Sequence, residues 1–306
     1  MSRISTYGNY QSALLDLMQA QQRQFDANRR VSSQKVATDL QGFGHGAETL
    51  TAMKSAQARV QGFIDTGEAV SARLTTQDLA MERMGEGVQG ARTAIANAIA
   101  LGRLDGLVQE VQASFQMVQD GLNSRHQGRY LFSGGLVNTV PVNTNALADL
   151  SALPSASDAF DNDDLLTDTR LDEGTAIRTS FLARDLGLES LEIFRDIQVF
   201  HETTPLTGQL NAASETFLKT VLSRLDQAYK NITNNTARNG SVQNQVDSIL
   251  TSQRAQRDAL DEMVANRTDA DMAAAATDLE AAQIALQASA QVIAGLRNTS
   301  LLNFLR

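Results

Sequence analysis

The densest group of possible metal ligands in this sequence is the acidic run Asp-Asn-Asp-Asp at residues 161–164. Carboxylate and amide oxygens are the ligands that calcium prefers. A helix–loop–helix calcium site, however, needs a third oxygen ligand at the fifth loop position and glycine at the sixth, where this chain has Leu165 and Leu166. The run therefore fits a solvated acidic loop better than a metal site.

The three histidines, His45, His126 and His201, are far apart in the sequence and lack the i, i+4 spacing of a helical zinc site. Cysteine is absent, which excludes disulfides, thiolate metal sites and cysteine nucleophiles. No nucleophile elbow, phosphate-binding loop or dinucleotide fingerprint occurs. We therefore expect no catalytic residues, no metal, no cofactor and no enzyme activity.

Composition and charge exclude two classes of binding partner, nucleic acid and anionic membranes. The 306 residues carry a formal net charge of −9 and no block of basic residues. Binding to duplex nucleic acid or to anionic membranes depends on clustered Lys and Arg, so neither partner is expected. The sequence also has no run of eighteen apolar residues, and its N-terminus lacks the apolar segment of a secretory signal peptide. We expect a soluble chain that, if exported, does not use the general secretory signal.

The C-terminal stretch 268–306 has the strongest periodicity and the chain is organised around it. It is rich in alanine, lacks proline, and favours helix by propensity. Small or apolar residues recur there at alternating spacings of three and four, the pattern of a coiled-coil seam: Met272, Ala275, Leu279, Ala282, Leu286, Ser289, Ile293 and Leu296.

A second row on the same helix, Ile284, Ala288, Val292 and Gly295, lies off that seam. One partner helix would leave this row in water, so something else must cover it. Two interpretations remain open at this point: an ordinary helix in the core of a bundle, or a helix buried between the subunits of an assembly.

Residues 5–35 predict a second terminal helix with a weaker seam. Its positions turn polar after Leu17, and an isolated helix of this length is marginal in water. We therefore expect it to need the C-terminal helix or a neighbouring molecule. The predicted seam is Tyr7, Tyr10, Leu14, Leu17, Gln21, Gln24, Asn28 and Val31.

Two long stretches between the terminal helices keep the same spacing over many heptads. The Gly-rich residues 39–46 indicate a loop before the first stretch, and the residues 101–106 break it from a third helix that runs to about Gln127. The first seam is Met53, Ala56, Val60, Phe63, Gly67, Val70, Leu74, Gln77, Met81, Met84, Val88, Ala91, Ile95 and Ala98; the third helix turns Leu107, Val111, Phe115, Val118 and Leu122 inward. The last seam is Leu218, Val221, Leu225, Ala228, Ile232, Asn235, Asn239, Val242, Val246, Ile249, Gln253, Gln256, Leu260 and Met263.

The middle segment, residues 130–212, differs in kind because it holds all three prolines and an acidic stretch from Asp158 to Glu173. Asp172-Glu173-Gly174 indicates a turn before a short strand in 175–181, and a short helix follows at 188–200. We predict a mainly α fold: an elongated up-and-back helical rod with coiled-coil termini and a small β-containing domain inserted at the tip. The predicted domains are 1–40 with 268–306, 41–129 with 213–267, and 130–212.

Several segments resemble the flagellin family. They are Arg3-Ile4-Ser5-Thr6, Val31-Ser32-Ser33, the stretch Gly128-Arg-Tyr-Leu-Phe-Ser-Gly-Gly135, the stretch 269–279 leading into Gln283-Ile-Ala-Leu-Gln-Ala-Ser289, and the end Ser300-Leu-Leu-Asn-Phe-Leu305. The similarity covers about residues 1–135 and 213–306. Departures occur at 34–36, where the family usually has Gly-Lys-Arg, and around 102–106, where a family segment is shortened.

The resemblance implies a secreted, extracellular structural subunit of the bacterial flagellum. It would form a ring at the hook–filament junction, with hook-associated protein 1, flagellin, copies of itself and a flagellar export chaperone as partners. The assembly interface would be Ile4, Tyr7, Tyr10, Leu14, Leu17, Met272, Leu279, Ile284, Leu286, Val292, Ile293, Leu296, Leu301, Leu302 and Phe304. A flagellin filament subunit is the close alternative. A chemoreceptor-like helical module is disfavoured by the proline-bearing insert.

Overall fold

The computed structural model describes the backbone of residues 2–302 and the side chains of residues 8–296. This part of the chain forms seven α-helices and four short strands, so the mainly α prediction is confirmed. The helices are α1 (Ser2–Ser33), α2 (Ala47–Leu101), α3 (Leu107–Leu122), α4 (Leu147–Ala152), α5 (Ala183–Thr203), α6 (Ala212–Thr268) and α7 (Met272–Leu302). The strands are β1 (Arg125–His126), β2 (Arg129–Tyr130), β3 (Asp168–Arg170) and β4 (Ala176–Arg178).

The chain divides into two compact units. The terminal unit contains residues 1–59 and 256–306, and the central unit contains residues 60–255. The boundary between the units falls within α2 and within α6, so each of these long helices has one part in the terminal unit and one part in the central unit. The three-part division expected from the sequence stays a prediction.

Within the central unit, α2 and α6 pack as antiparallel helices, as predicted. Arg92 pairs with Asp226, and Gln243 donates a hydrogen bond to the Leu74 carbonyl at 3.1 Å. Further back along α2, Glu68 pairs with Arg254 at 2.8 Å. The partner's residue number therefore rises along α6 as the position on α2 falls. The predicted α2 seam is buried or half-buried at every position.

The α6 seam follows the prediction as far as Gln253 and again at the half-buried Leu260. Gln256 and Met263 are exposed, although both were expected to face inward. In the terminal unit a polar contact joins the two helices, because Gln57 of α2 donates a hydrogen bond to Asp261 of α6.

One hydrophobic core joins α2, α3, α5 and α6 with the apolar side chains of the middle segment. The rings of Phe115 and Phe194 meet edge to face at 5.8 Å in that core. Polar side chains of α3 hold the segment's backbone: Asn123 bonds both the N–H and the carbonyl of Val142, and Gln112 accepts the N–H of Leu147. The middle segment therefore shares its core with the long helices, and its independent folding stays a prediction.

The third helix ends at Leu122, and the prediction that it runs to Gln127 was wrong. Asn123 leaves the helix to bond Val142, and β1 and β2 then form an antiparallel hairpin that pairs His126 with Arg129. Both residues of its two-residue turn have positive φ, 50° at Gln127 and 81° at Gly128. Such a turn matches the twist of a hairpin, and glycine adopts it without strain.

The Gly-rich residues that were expected to form a loop before α2 instead contain a 3-10 helix, Gln41–Gly46, while the other predicted local elements are present. Asp172 accepts the N–H groups of Gly174 and Thr175 at 2.6 and 3.2 Å, which forms the predicted turn. It connects β3 to β4, and these strands pair antiparallel with Thr169 opposite Ile177. The predicted helix 188–200 lies inside α5.

Candidate assembly interface

The terminal unit brings the two ends of the chain together, because α1 packs against α7. Backbone hydrogen bonds join the residues that follow α1 to the residues that precede α7. Val36 N–H donates to the Thr268 carbonyl at 2.8 Å, and Ala270 N–H donates to the Gln34 carbonyl at 3.0 Å. Arg30 near the end of α1 lies 3.6 Å from Asp278 near the start of α7, so the two helices run antiparallel.

A carboxylate at this junction is held in its charged form. The Lys35 ammonium donates a hydrogen bond to Asp269, and the Thr268 hydroxyl donates a second at 2.9 Å. These donors, the lysine first, lower the pKa of Asp269 because they favour the ionised carboxylate. The junction thus combines two backbone hydrogen bonds with one ion pair.

Small side chains form the closed part of the α1–α7 seam. The buried residues among the described side chains of these two helices are Ala20, Ala27, Ala275 and Ala282. Larger residues such as Leu17, Leu279 and Leu286 are only half-buried. Alanine lets two helices approach closely, but a methyl group contributes far less than the roughly 1.5 to 3 kcal/mol of a buried Leu, Ile or Phe.

The α7 seam follows the prediction from Ala275 to Leu296, whereas Met272 is exposed. On α1 the predicted register is partly wrong. Its inward row is Ala13, Leu17, Ala20, Gln24, Ala27 and Val31, so the predicted members Tyr10, Leu14, Gln21 and Asn28 lie on the solvent side. Close packing selects the row of small residues rather than the row of large ones.

Large apolar side chains remain in solvent on both terminal helices. On α7 the predicted second row is exposed, with Ile284 at 67% and Val292 at 56% of full exposure. On α1 Phe25 is 71% and Met18 58% exposed. We call this set the terminal apolar surface; its members are Tyr10, Leu14, Leu15, Met18, Phe25, Met272, Ile284 and Val292.

Charge is sparse around this surface on α7, because residues 281–296 contain no Asp, Glu, Lys or Arg. An exposed uncharged helix face with large aliphatic side chains is costly in water and is typical of a protein–protein contact. Phe25, Leu15 and Met18 were missed by sequence reasoning. The test applied to α7, a search for apolar rows off the seam, would have found them on α1 as well.

The other predicted interface residues have different positions. Leu17, Leu279, Leu286, Ile293 and Leu296 lie half-buried in the seam between α1 and α7. The predictions at Ile4, Tyr7, Leu301, Leu302 and Phe304 lie outside the residues whose side chains the structure describes.

The histidines and the acidic run do not converge on a site. His126 bonds the Thr76 hydroxyl through Nδ1, and His201 accepts the N–H of Leu206. Asp163 accepts the N–H of Gly135, while Asp164 pairs with Arg184. Among the described residues no three His, Asp or Glu side chains are grouped so that they could hold a metal ion. None of the described helices is long and apolar enough to cross a membrane.

Residues 222–305 match the sequence model of the bacterial flagellin C-terminal helical region. This part of the chain is therefore similar to the C-terminal helical region of flagellins. It comprises most of α6 and all described residues of α7, including Ile284 and Val292. No curated protein sequence is significantly similar to the chain.

Two solved structures share the fold of the chain. A putative flagellar hook-associated protein from Vibrio parahaemolyticus is 13% identical in sequence, with a TM-score of 0.62, and the match covers 76% of this chain and 99% of that protein. FlgL from Bacillus cereus is 16% identical, with a TM-score of 0.57, and the match covers 70% of this chain and 99% of that protein. The likeness to these two structures is therefore one of fold.

Proposed function

We propose that the chain is a structural subunit of the bacterial flagellum that joins hook-associated protein 1 to the flagellin filament, the role of flagellar hook-associated protein 3. The observation that carries the proposal is the terminal apolar surface. It lies on the helix pair that includes the flagellin C-terminal region, and the seam between the two helices leaves it uncovered. Burial of these side chains against neighbouring subunits would drive assembly.

The remaining parts of the proposal rest on the likeness to flagellar proteins. The subunit is exported through the flagellar apparatus, a chaperone covers its terminal helices before assembly, and copies of the subunit associate in a ring outside the cell. Its role is mechanical and involves no catalysis. A ring forms through head-to-tail contacts in which two different surfaces of neighbouring copies meet, and α1 with α7 would supply one of them.

A deletion strain complemented with variants tests the assembly role. We expect Ile284→Asp and Val292→Asp to leave the secreted protein folded and to block its incorporation into flagella, because each places a charge in the buried contact. Gln283→Asp is the matched control, since Gln283 is also exposed on α7 and loses no apolar surface. Normal flagella with both test variants, seen by negative-stain electron microscopy, would refute the proposed interface.

The same strain separates the junction role from that of a filament subunit. Without a junction subunit the hook remains, filaments are absent, and flagellin is released into the medium because it has no base on which to assemble. Without the filament subunit the medium contains no flagellin. An immunoblot of the medium therefore decides between the two functions.

A further inference from the structure

A cleft of about 520 Å³ in the central unit has a lining that contrasts with the acidic chain around it. Arg73 of α2, His126 and Arg129 of the β1–β2 hairpin, and the hydroxyls of Thr167, Thr169 and Ser180 line it. No Asp or Glu is among its lining residues, although the chain has 35 acidic and 26 basic residues. We call it the Arg73 cleft.

No carboxylate among the described residues pairs with Arg73. One of its terminal nitrogens donates to the hydroxyl and the carbonyl of Thr179, while Nε is inaccessible to solvent and has no hydrogen-bond partner in the part of the chain that the structure describes. Burial lowers the pKa of Arg73. A guanidinium that is partly removed from water without an opposite charge is unfavourable, and an anion would relieve part of the cost.

Carboxylates near the cleft are bound to other groups. Asp168 lies on β3 and pairs with Arg178 at 3.3 Å. Asp163 lies against Gly134 but accepts the N–H groups of Gly135 and Leu165 at 2.7 and 3.1 Å. Neither carboxylate neutralises Arg73 or Arg129.

We propose that the Arg73 cleft binds a small oxyanion, carried by a phosphate group or by an acidic sugar. Guanidinium groups donate charge-assisted hydrogen bonds to both kinds of oxyanion. The hydroxyls of Ser180 and Thr169 already bond the Thr167 carbonyl and the Thr179 hydroxyl, so the two arginines are the main donors to the ligand. The volume suits a ligand of one or two sugar rings. The site is separate from the terminal apolar surface, so it can exist whether or not the chain has the proposed flagellar role.

Thermal unfolding of the full chain tests the proposal. Tm is measured in sodium phosphate, in sodium glucuronate and in sodium chloride at matched ionic strength. A ligand that binds the folded state at ten times its Kd raises the folded-to-unfolded ratio about elevenfold, so at least one oxyanion should raise Tm saturably above chloride. A response to phosphate alone indicates a phosphate-bearing ligand, and a stronger response to glucuronate indicates an acidic sugar.

Variants separate the cleft from the general stabilising effect of phosphate. Arg129→Gln should raise the half-saturating concentration about tenfold or more, because one charge-assisted contact is lost. Arg73→Met should abolish the response; it also removes the hydrogen bonds to the buried Thr179 and should therefore lower Tm in chloride. Arg83→Gln is the control, since Arg83 is exposed on α2 outside the cleft.

The proposal fails if neither oxyanion exceeds chloride, or if Arg129→Gln responds as wild type does. It also fails if Arg83→Gln reduces the response to the same extent. Should Arg73→Met not fold, the comparison of Arg129→Gln with Arg83→Gln still decides the question.

Discussion

The terminal helix pair and the central unit use the same three-four spacing but bury different side chains. In the central unit Leu74, Met81, Phe115 and Phe194 are fully buried. In the terminal pair the buried seam is alanine, and the large apolar side chains face solvent. The spacing therefore determines that both regions are helical, while the size of the buried residues determines whether a region is stable without a partner.

The largest effect is expected from one substitution made in both regions. Leu74→Asp puts an unpaired carboxylate into the packed core of the central unit and should reduce the free energy of unfolding by roughly 4 kcal/mol or more. Ile284→Asp puts a carboxylate on an exposed helix face and should change the free energy of unfolding by less than about 0.5 kcal/mol. Urea unfolding followed by circular dichroism measures both. Similar losses would show that the terminal apolar surface is covered within the monomer.

Sequence periodicity predicted most of the helical framework. The α2 seam is correct at all its positions, where most of the large apolar residues of the helix lie inward, although Leu79 and Leu101 are exposed. The prediction from periodicity failed on α1, where Ala20 and Ala27 face inward while Leu14 is exposed. There the rule that large apolar residues lie inside gives the wrong register, because small residues occupy the seam between the two helices.

Features that depend on long-range polar contacts could not be predicted from spacing. The end of α3 depends on the hydrogen bonds between Asn123 and Val142. The Arg73 cleft depends on the position of the β1–β2 hairpin beside Arg73. A sequence window around either residue contains neither partner. The second apolar row on α7 was predicted because one helix contains all of it.

The second prediction uses glycines of the two regions. A methyl group on Gly87 would lie 2.8 Å from both the Ser114 carbonyl and Val118, so Gly87→Ala should destabilise the chain by about 1 to 3 kcal/mol. Gly8 in α1 has open space around it, and Gly8→Ala should stabilise the helix by about 0.5 to 1 kcal/mol. Urea titration of the two variants measures this. A loss at Gly8 would mean that α1 is packed as tightly as the central helices.

The third prediction compares glutamines at seam positions. Gln77 is buried in α2, and its side-chain oxygen has no hydrogen-bond partner among the described residues. Gln77→Leu should therefore stabilise the central unit by about 1 kcal/mol, since the uncompensated polar group is removed. Gln24 of α1 is half-exposed, and Gln24→Leu should change stability by less than about 0.5 kcal/mol. Destabilisation by Gln77→Leu would indicate an internal water or a polar role for the side chain.

The smallest effect concerns the junction of α1 with α7, and it depends on pH. Hydrogen bonds from Lys35 and Thr268 lower the pKa of Asp269 in the folded chain below its unfolded value. A depressed pKa gives stability that is present above the unfolded value, near 3.9, and is lost as the pH falls through the folded value. At pH 7 Asp269→Asn should therefore open the junction more often, and the amides of Val36 and Ala270 should exchange faster than in wild type after correction for intrinsic rates. At a pH below the folded value wild type and variant should exchange alike, because the carboxylate is then neutral in both the folded and the unfolded state.

Asp16→Asn, at an exposed position on α1, is the control and should leave the exchange of both amides unchanged at either pH. Equal exchange of wild type and Asp269→Asn at pH 7 would show that the two backbone hydrogen bonds hold the junction without the ion pair.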